Sequence, residues 1–262
     1  MVVFFDIDGT IVDEETQQIP ESCVRAVERL RRNGHVPVIN TGRPYAHIDP
    51  RVRAMPFQGW VCGCGMEVLL DGECISLTMP SLEVSRYVVE SVRECGMQAL
   101  YETREGEMLT DGVYSNHNPI VIREAQRMRA KGFTVCDIDD MPSYQIMKGG
   151  IWDDEGCNRE EMLRRLDPYF DYVLREETMI ELVSPGCSKA KGMEILLKHL
   201  GVSKEDTFAI GDSHNDITMF QAAGTTICLG GGVPKLKAIA DYVTDTVMND
   251  GVEKALEHFG LI

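Results

Sequence analysis

Residues 2–13, VVFFDIDGTIVD, narrow the choice of fold more than any other stretch of this chain. Val2 to Phe5 form a short apolar run bounded by turn residues, which predicts a buried strand. The strand runs directly into Asp6, Ile7, Asp8, Gly9 and Thr10. Its carboxyl end therefore carries two carboxylates and a glycine turn, and in open parallel sheets that edge is where ligands bind.

Strands and helices alternate on either side of a different middle. Residues 20–33 open with Pro20 and place Val24, Val27 and Leu30 on one helical face, ending at Asn33-Gly34. Val36 to Asn40 predicts a second buried strand that meets the turn Thr41-Gly42-Arg43-Pro44, completing a β-α-β unit. Near the other end, helical patterns at 191–200, 216–223 and 235–240 alternate with strands at 207–210, 226–229 and 242–244. Such alternation predicts an α/β fold, a doubly wound Rossmann-like parallel sheet. Between them, helical patterns at 81–95, 119–131 and 158–166 mix with strand patterns at 97–102, 107–110, 144–152 and 172–183. That mixture predicts an α+β insert with an antiparallel sheet. The expected division is a core of residues 1–80 and 185–262 around an insert of 81–184.

Charge narrows the partners. A net charge of -16 opposes nonspecific attraction to nucleic acid or to an anionic membrane, so an anionic ligand must be held by local groups. The first residues show neither a basic segment nor a long apolar stretch, which leaves the cytoplasm as the expected compartment. Nine cysteines without C-x-x-C pairs read as reduced thiols. Composition is silent on oligomeric state.

Four polar clusters then stand out: Asp6 with Asp8, Thr41 with Gly42, Lys189 with Lys191, and Gly211-Asp212-Ser213-His214-Asn215-Asp216. All four are expected at carboxyl ends of core strands, gathered into one crevice. In this order, D-I-D-G-T, T-G-R, a downstream lysine and G-D-S-H-N-D resemble the four motifs of the haloacid dehalogenase superfamily of phosphohydrolases. The roughly hundred residues between the second motif and the lysine resemble the type IIB cap of the Cof-like sugar-phosphate phosphatases. This resemblance implies that residues 81–184 form a substrate-reading cap.

The residue types suit phosphoryl transfer, which needs an in-line nucleophile, a proton source for the departing oxygen, and positive charge around the phosphoryl oxygens. Asp6 is the expected nucleophile and forms an aspartyl phosphate; Asp8 is the expected acid and base, its protonated form favoured by adjacent negative charge. Thr41, Gly42, Lys189 and Asn215 are the expected phosphate contacts. Repulsion between carboxylates and a phosphate ester calls for a cation, and Mg²⁺ suits oxygen ligands. Asp212 is its best side-chain ligand, and the resemblance adds Asp6 and the backbone carbonyl of Asp8. Asp216 either binds the metal through water or orients the lysine. Lys189 fits the third motif by its distance from Leu200-Gly201, whereas Lys191 has the family-like glycine after it. His214 is expected to face solvent, and Arg43 to meet either a structural carboxylate or substrate. Two departures from the Cof-like pattern are Cys64-Gly65-Met66 and the triple glycine 230–232, which reads as a loop.

The expected activity is a Mg²⁺-dependent phosphatase acting on small phosphorylated metabolites, sugar phosphates foremost. A phosphotransferase or mutase and a noncatalytic phosphometabolite-binding protein are the alternatives.

Overall fold

The structure, a computed structural model, describes residues 1–111, 118–176 and 178–262. Among these, the strands in chain order are β1 (Val2–Phe5), β2 (Val36–Asn40), β3 (Gly59–Cys62), β4 (Glu67–Leu70), β5 (Glu73–Leu77), β6 (Gln98–Thr103), β7 (Glu107–Thr110), β8 (Thr134–Asp137), β9 (Ile146–Trp152), β10 (Asp171–Glu176), β11 (Met179–Val183), β12 (Thr207–Gly211), β13 (Thr225–Cys228) and β14 (Tyr242–Val243). They form an eight-stranded sheet, β14-β13-β12-β1-β2-β3-β4-β5, and a six-stranded sheet, β10-β11-β9-β6-β7-β8. The chain divides into two compact units: Met1–Arg43, Ile48–Leu77 and Ser188–Ile262 in one, Pro44–His47 and Thr78–Cys187 in the other.

In the first unit β1 lies between β2 and β12, parallel to both. Its alternate side chains enter different packing: Val2 and Phe4 join Met193 and Leu196 of the helix Lys189–Leu200, while the Phe5 ring meets Phe57 edge-on. From β1 the chain winds through β2 to β3; from β12 it winds the other way through β13 to β14, every pairing parallel. Winding therefore reverses between β1 and β12, and such a reversal opens a crevice at the carboxyl ends of the two strands. The helix Glu21–Arg32 buries Cys23, Ala26, Val27 and Leu30, with Val24 only half-buried. The apolar stripe is thus the i, i+3, i+4, i+7 set counted from Cys23, not the row through Val24. β4 and β5 add an antiparallel hairpin turned at Asp71-Gly72, where φ is 49° and 84°.

The second unit's sheet is antiparallel except for the parallel pair β7–β8. On one face Tyr101, Ile151, Ile180 and Leu182 pack with Val88 and Val92 of the helix Leu82–Glu94 and with Met162 and Leu166 of the helix Arg159–Leu166. On the other, Leu100, Met108 and Trp152 pack with Val121 and Ala125 of the helix Pro119–Ala130. The strand expected over 172–183 is the hairpin β10–β11, and β8 has no counterpart in the sequence pattern. Tyr114, Asn116 and His117, to which the sequence assigns no role, being equally suited to a sugar contact and to a surface turn, lie outside the described residues. Asn118 caps a helix, its Oδ1 accepting from the Ile120 amide at 2.9 Å. Among the described residues no helix is long and apolar enough to cross a membrane.

Candidate active site

The site is built from the two strands that flank the reversal. β1 delivers Asp6, whose amide donates to the Ile210 carbonyl of β12 at 3.0 Å, and β12 ends one residue before Asp212. Carboxylate oxygens of Asp6, Asp212 and Asp216, all buried, lie within 4.8 Å of one another. Gly9 permits this approach: its φ is +75°, and a Cβ there would sit 2.2 Å from Asp212 Oδ2. An alanine at position 9 would both strain the turn and displace that carboxylate.

Lys189 reaches this group from a different origin than expected. The strand before it, β11, belongs to the second unit's sheet, and Lys189 lies in the first turn of the helix Lys189–Leu200. A helix start, not a core strand end, therefore presents the lysine. Its Nζ lies 2.7 Å from Asp6 Oδ1 and 2.6 Å from Asp216 Oδ1, with the side chain 1% exposed. Asn40, the last residue of β2, donates from Nδ2 to the Lys189 carbonyl at 3.1 Å and so ties the helix start to the sheet. Lys191 instead pairs with Glu194 at 3.0 Å on the exposed side. The glycine after it has a packing reason: a Cβ on Gly192 would fall 2.1 Å from Val61 Cγ1.

Asp216 commits both oxygens. Oδ1 accepts from Lys189, and Oδ2 accepts from the amides of Asp212 and Ser213 at 3.0 and 2.9 Å, in a capping box with Ser213. Of the two roles left open by the sequence, this geometry favours orienting the lysine. Thr10, the last residue of D-I-D-G-T, has no role assigned by sequence alone, yet its buried hydroxyl donates to Asp212 Oδ1 at 2.9 Å.

Burial dominates the electrostatics. It raises the Asp6 carboxyl, Lys189 pulls it down and Asp216 pushes it up again, leaving it at about 7. Burial, then the charges of Asp6 and Asp216, push Asp212 up to about 8, against the Thr10 hydrogen bond. Burial would lower the Lys189 ammonium, but Asp216 and Asp6 outweigh it and hold it above its usual value. Three close carboxylates thus share one buried ammonium, an excess of negative charge that a divalent cation would relieve.

The remaining sequence candidates occupy the same edge. Thr41 is buried, its Oγ1 accepting from the Arg43 amide at 3.2 Å; Gly42 follows it, half-buried. Asn215 Oδ1 accepts from Ser213 Oγ at 2.7 Å, and His214 is exposed. Asp8 has a partner that the sequence left open: both carboxylate oxygens meet the guanidinium of Arg43, each at 2.7 Å. Two of the triple-glycine amides are used internally, Gly230 to Asp245 and Gly232 to Leu229, as a structural loop requires.

The sequence profile of the haloacid dehalogenase-like hydrolases matches residues 3–256. Among curated relatives, the Bacillus subtilis (strain 168) protein YkrA, whose name proposes a phosphatase, is 28% identical over 263 residues, covering 100% of this chain and 98% of that protein. The 5-amino-6-(5-phospho-D-ribitylamino)uracil phosphatase YitU of the same organism is 25% identical over 276 residues, covering 99% and 98%. Among solved structures, BT1666 from Bacteroides thetaiotaomicron, described among haloalkanoate-superfamily phosphatases, superposes with a TM-score of 0.82 at 28% identity, covering 100% of this chain and 95% of its own.

Proposed function

The chain belongs to the haloacid dehalogenase-like hydrolases, whose curated relatives here are named phosphatases, and on that premise we propose that it is a Mg²⁺-dependent phosphatase of small sugar or polyol phosphates working through an aspartyl phosphate. The observation that carries this reading is the buried Asp6–Lys189–Asp216 chain beside Asp212, at the crevice where sheet winding reverses. YitU, named for hydrolysing a phosphoribityl compound, supports the substrate class.

In this reading an Asp6 oxygen attacks phosphorus in line as the bond from phosphorus to the ester oxygen breaks, and Asp8 gives its proton to the departing alkoxide. Water then attacks the aspartyl phosphate, Asp8 takes the water's proton, and phosphate leaves with the Asp6 carboxylate restored. Lys189 offsets negative charge on Asp6 and the phosphoryl group, while Thr41, Gly42 and Asn215 hold phosphoryl oxygens. The donor set fits Mg²⁺: Asp6 and Asp212 would supply buried carboxylate oxygens and, by the family resemblance, Asp8 its backbone carbonyl, with Asp216 left to hold the lysine. When bound, the ion supplies Lewis-acid stabilisation of phosphoryl charge and lets an anionic ester approach carboxylates. The second compact unit serves as the cap that reads the leaving group.

The direct test is phosphate release from a panel of aryl, sugar and polyol phosphates with Mg²⁺ and with excess chelator. Release that stops with chelator is expected; none from any ester would leave the binding-only alternative standing.

A pH effect follows. The folded-state values of Asp6 and Asp212 lie above the ordinary carboxylate range. The stability their protons provide is present below that range and lost as pH rises through about 7 and about 8. Mg²⁺ competes with those protons, so in thermal-shift measurements it should raise the melting temperature more at about pH 8.5 than at about pH 6. Equal shifts at both would count against these carboxylates as the ligands.

A further inference from the structure

Arg43 and Asp8 leave adjacent parallel strands at nearly the same height, Asp8 three residues beyond Phe5 and Arg43 four beyond its register partner Ile39. The guanidinium meets the carboxylate as a fork: Nε donates to Oδ2 and Nη2 to Oδ1, each at 2.7 Å. The root of the arginine is pinned as well. Its amide donates to Thr41 Oγ1 at 3.2 Å, and its carbonyl accepts from the Gly63 amide at 2.8 Å. Both side chains are about one-third exposed, so as a plain surface ion pair this contact would add little to stability. What a two-bond fork does supply is geometry: it fixes the plane and direction of a carboxylate that otherwise sits partly exposed on a turn. Each carboxylate oxygen has two lone-pair sites, so the fork leaves acceptor capacity for a proton in transit.

We propose that Arg43 is a positioning residue that aims Asp8 for proton transfer and does not itself bind the substrate phosphate. The inference rests on the phosphatase reading and deepens it. Bringing a carboxylate within hydrogen-bond reach of the departing oxygen is the requirement for general acid catalysis, and it matters in proportion to how badly the leaving group needs a proton. A phenolate leaves an aryl phosphate without one; an alkoxide leaving a polyol phosphate does not.

The experiment compares kcat and KM of wild type, Arg43→Ala and Arg43→Lys with Mg²⁺ on p-nitrophenyl phosphate and on glycerol phosphate. Arg43→Ala should lower kcat/KM on glycerol phosphate about 100-fold and on the aryl ester no more than about threefold, because this ratio reports steps only through release of the alcohol, whereas kcat also contains the Asp8-assisted attack of water common to both esters. Arg43→Lys, which keeps charge but cannot form the fork, should show the same split to a lesser degree. Added guanidinium ion should restore part of the lost alkyl turnover in Arg43→Ala. In an Asp8→Asn background, removing Arg43 should cost almost nothing further on glycerol phosphate, because the group it positions is already gone.

Equal losses of kcat/KM on both esters would make Arg43 a substrate-binding residue and overturn the proposal. So would unchanged kinetics, or full additivity with Asp8→Asn. The phosphatase reading has a separate point of failure: if wild-type turnover of both esters survives chelation and loss of Asp6, that reading falls whatever Arg43 does.

Discussion

Replacing Asp6 with asparagine is expected to remove turnover and at the same time make the metal-free protein more stable. The two effects have one origin. Asp6 is buried at the end of β1 with its carboxylate 2.7 Å from Lys189 and close to the carboxylates of Asp212 and Asp216. Deprotonating it at alkaline pH adds charge to a site that holds two other acids and one ammonium. Its folded-state value of about 7, raised chiefly by burial, means that the unfolded chain loses this proton more easily than the folded one. The sign follows: the proton's stabilising contribution is intact below the ordinary carboxylate range and gone once pH exceeds about 7. The substituted amide carries no charge to strand, and Lys189 keeps its 2.6 Å partner Asp216. At about pH 8, without divalent ions, Asp6→Asn should therefore melt above wild type. Catalytically the amide is a poor nucleophile and cannot be regenerated by hydrolysis of an aspartyl phosphate, so kcat on any ester should drop by roughly 10⁴-fold or more. Steady-state phosphate release and a melting curve on the same sample check both halves. Residual turnover within tenfold of wild type would show that Asp6 is not the nucleophile.

How much of this could be read in advance depends on whether the sequence signal was local. The parallel core was legible because Val2–Phe5, Val36–Asn40 and Thr207–Gly211 are short apolar runs that each end in polar residues, so strand and site appear in one window. The β4–β5 hairpin carries a local signal that the strand pattern above does not exploit: Asp71-Gly72, with Leu69-Leu70 before it and Cys74-Ile75 shortly after, is the dipeptide that a turn with two positive φ values prefers. Arg43 as the partner of Asp8, and Thr10 and Asn40 as supports for Asp212 and Lys189, are contacts between residues 35 to 202 positions apart, and no pattern along the chain encodes them. Lys189 is identifiable by its distance from the end of its helix, yet its placement on a helix start is not, because the strand before it looks in sequence like any core strand.

The second unit was least legible for a physical reason. Lys148 in β9 and Glu181 in β11 are charged residues in strands, which reads as a solvated face, but both are buried and ion-paired to each other. Nearby, Glu102 accepts or shares a proton with His47 Nδ1 at 2.8 Å, and His47 comes from the short segment Pro44–His47 that joins this unit from far along the chain. Burial of polar pairs is a tertiary property, and hydrophobic periodicity is blind to it.

Lys189→Met should show the opposite of Asp6→Asn: a loss of stability as well as of rate. The methionine side chain can follow the lysine stem, so the substitution removes the ammonium and little volume. What remains is three buried carboxylates without their cation, and removing one member of a buried ion pair costs about 3–5 kcal/mol because the partner is left uncompensated. Asp216 loses the donor on Oδ1 but keeps two backbone donors on Oδ2, so the fold around Ser213 persists and the damage centres on Asp6 and Asp212. Protons can substitute for the missing cation. The variant's deficit in urea midpoint should accordingly shrink as pH falls, since acids whose folded-state values are raised stabilise the fold when protonated. Mg²⁺ should narrow the deficit too, by supplying positive charge at the same carboxylates. Turnover should still fall by about 10²–10³-fold at saturating Mg²⁺, because in the proposed chemistry the lysine also offsets phosphoryl charge, which the divalent ion does not do from the same position. Lys191→Met, which removes a cation paired on the exposed side with Glu194, is the control and should change neither quantity appreciably. If the two variants matched in turnover at saturating Mg²⁺, the buried lysine would be a structural group only, and the site would lack the fixed positive charge that the proposed chemistry requires.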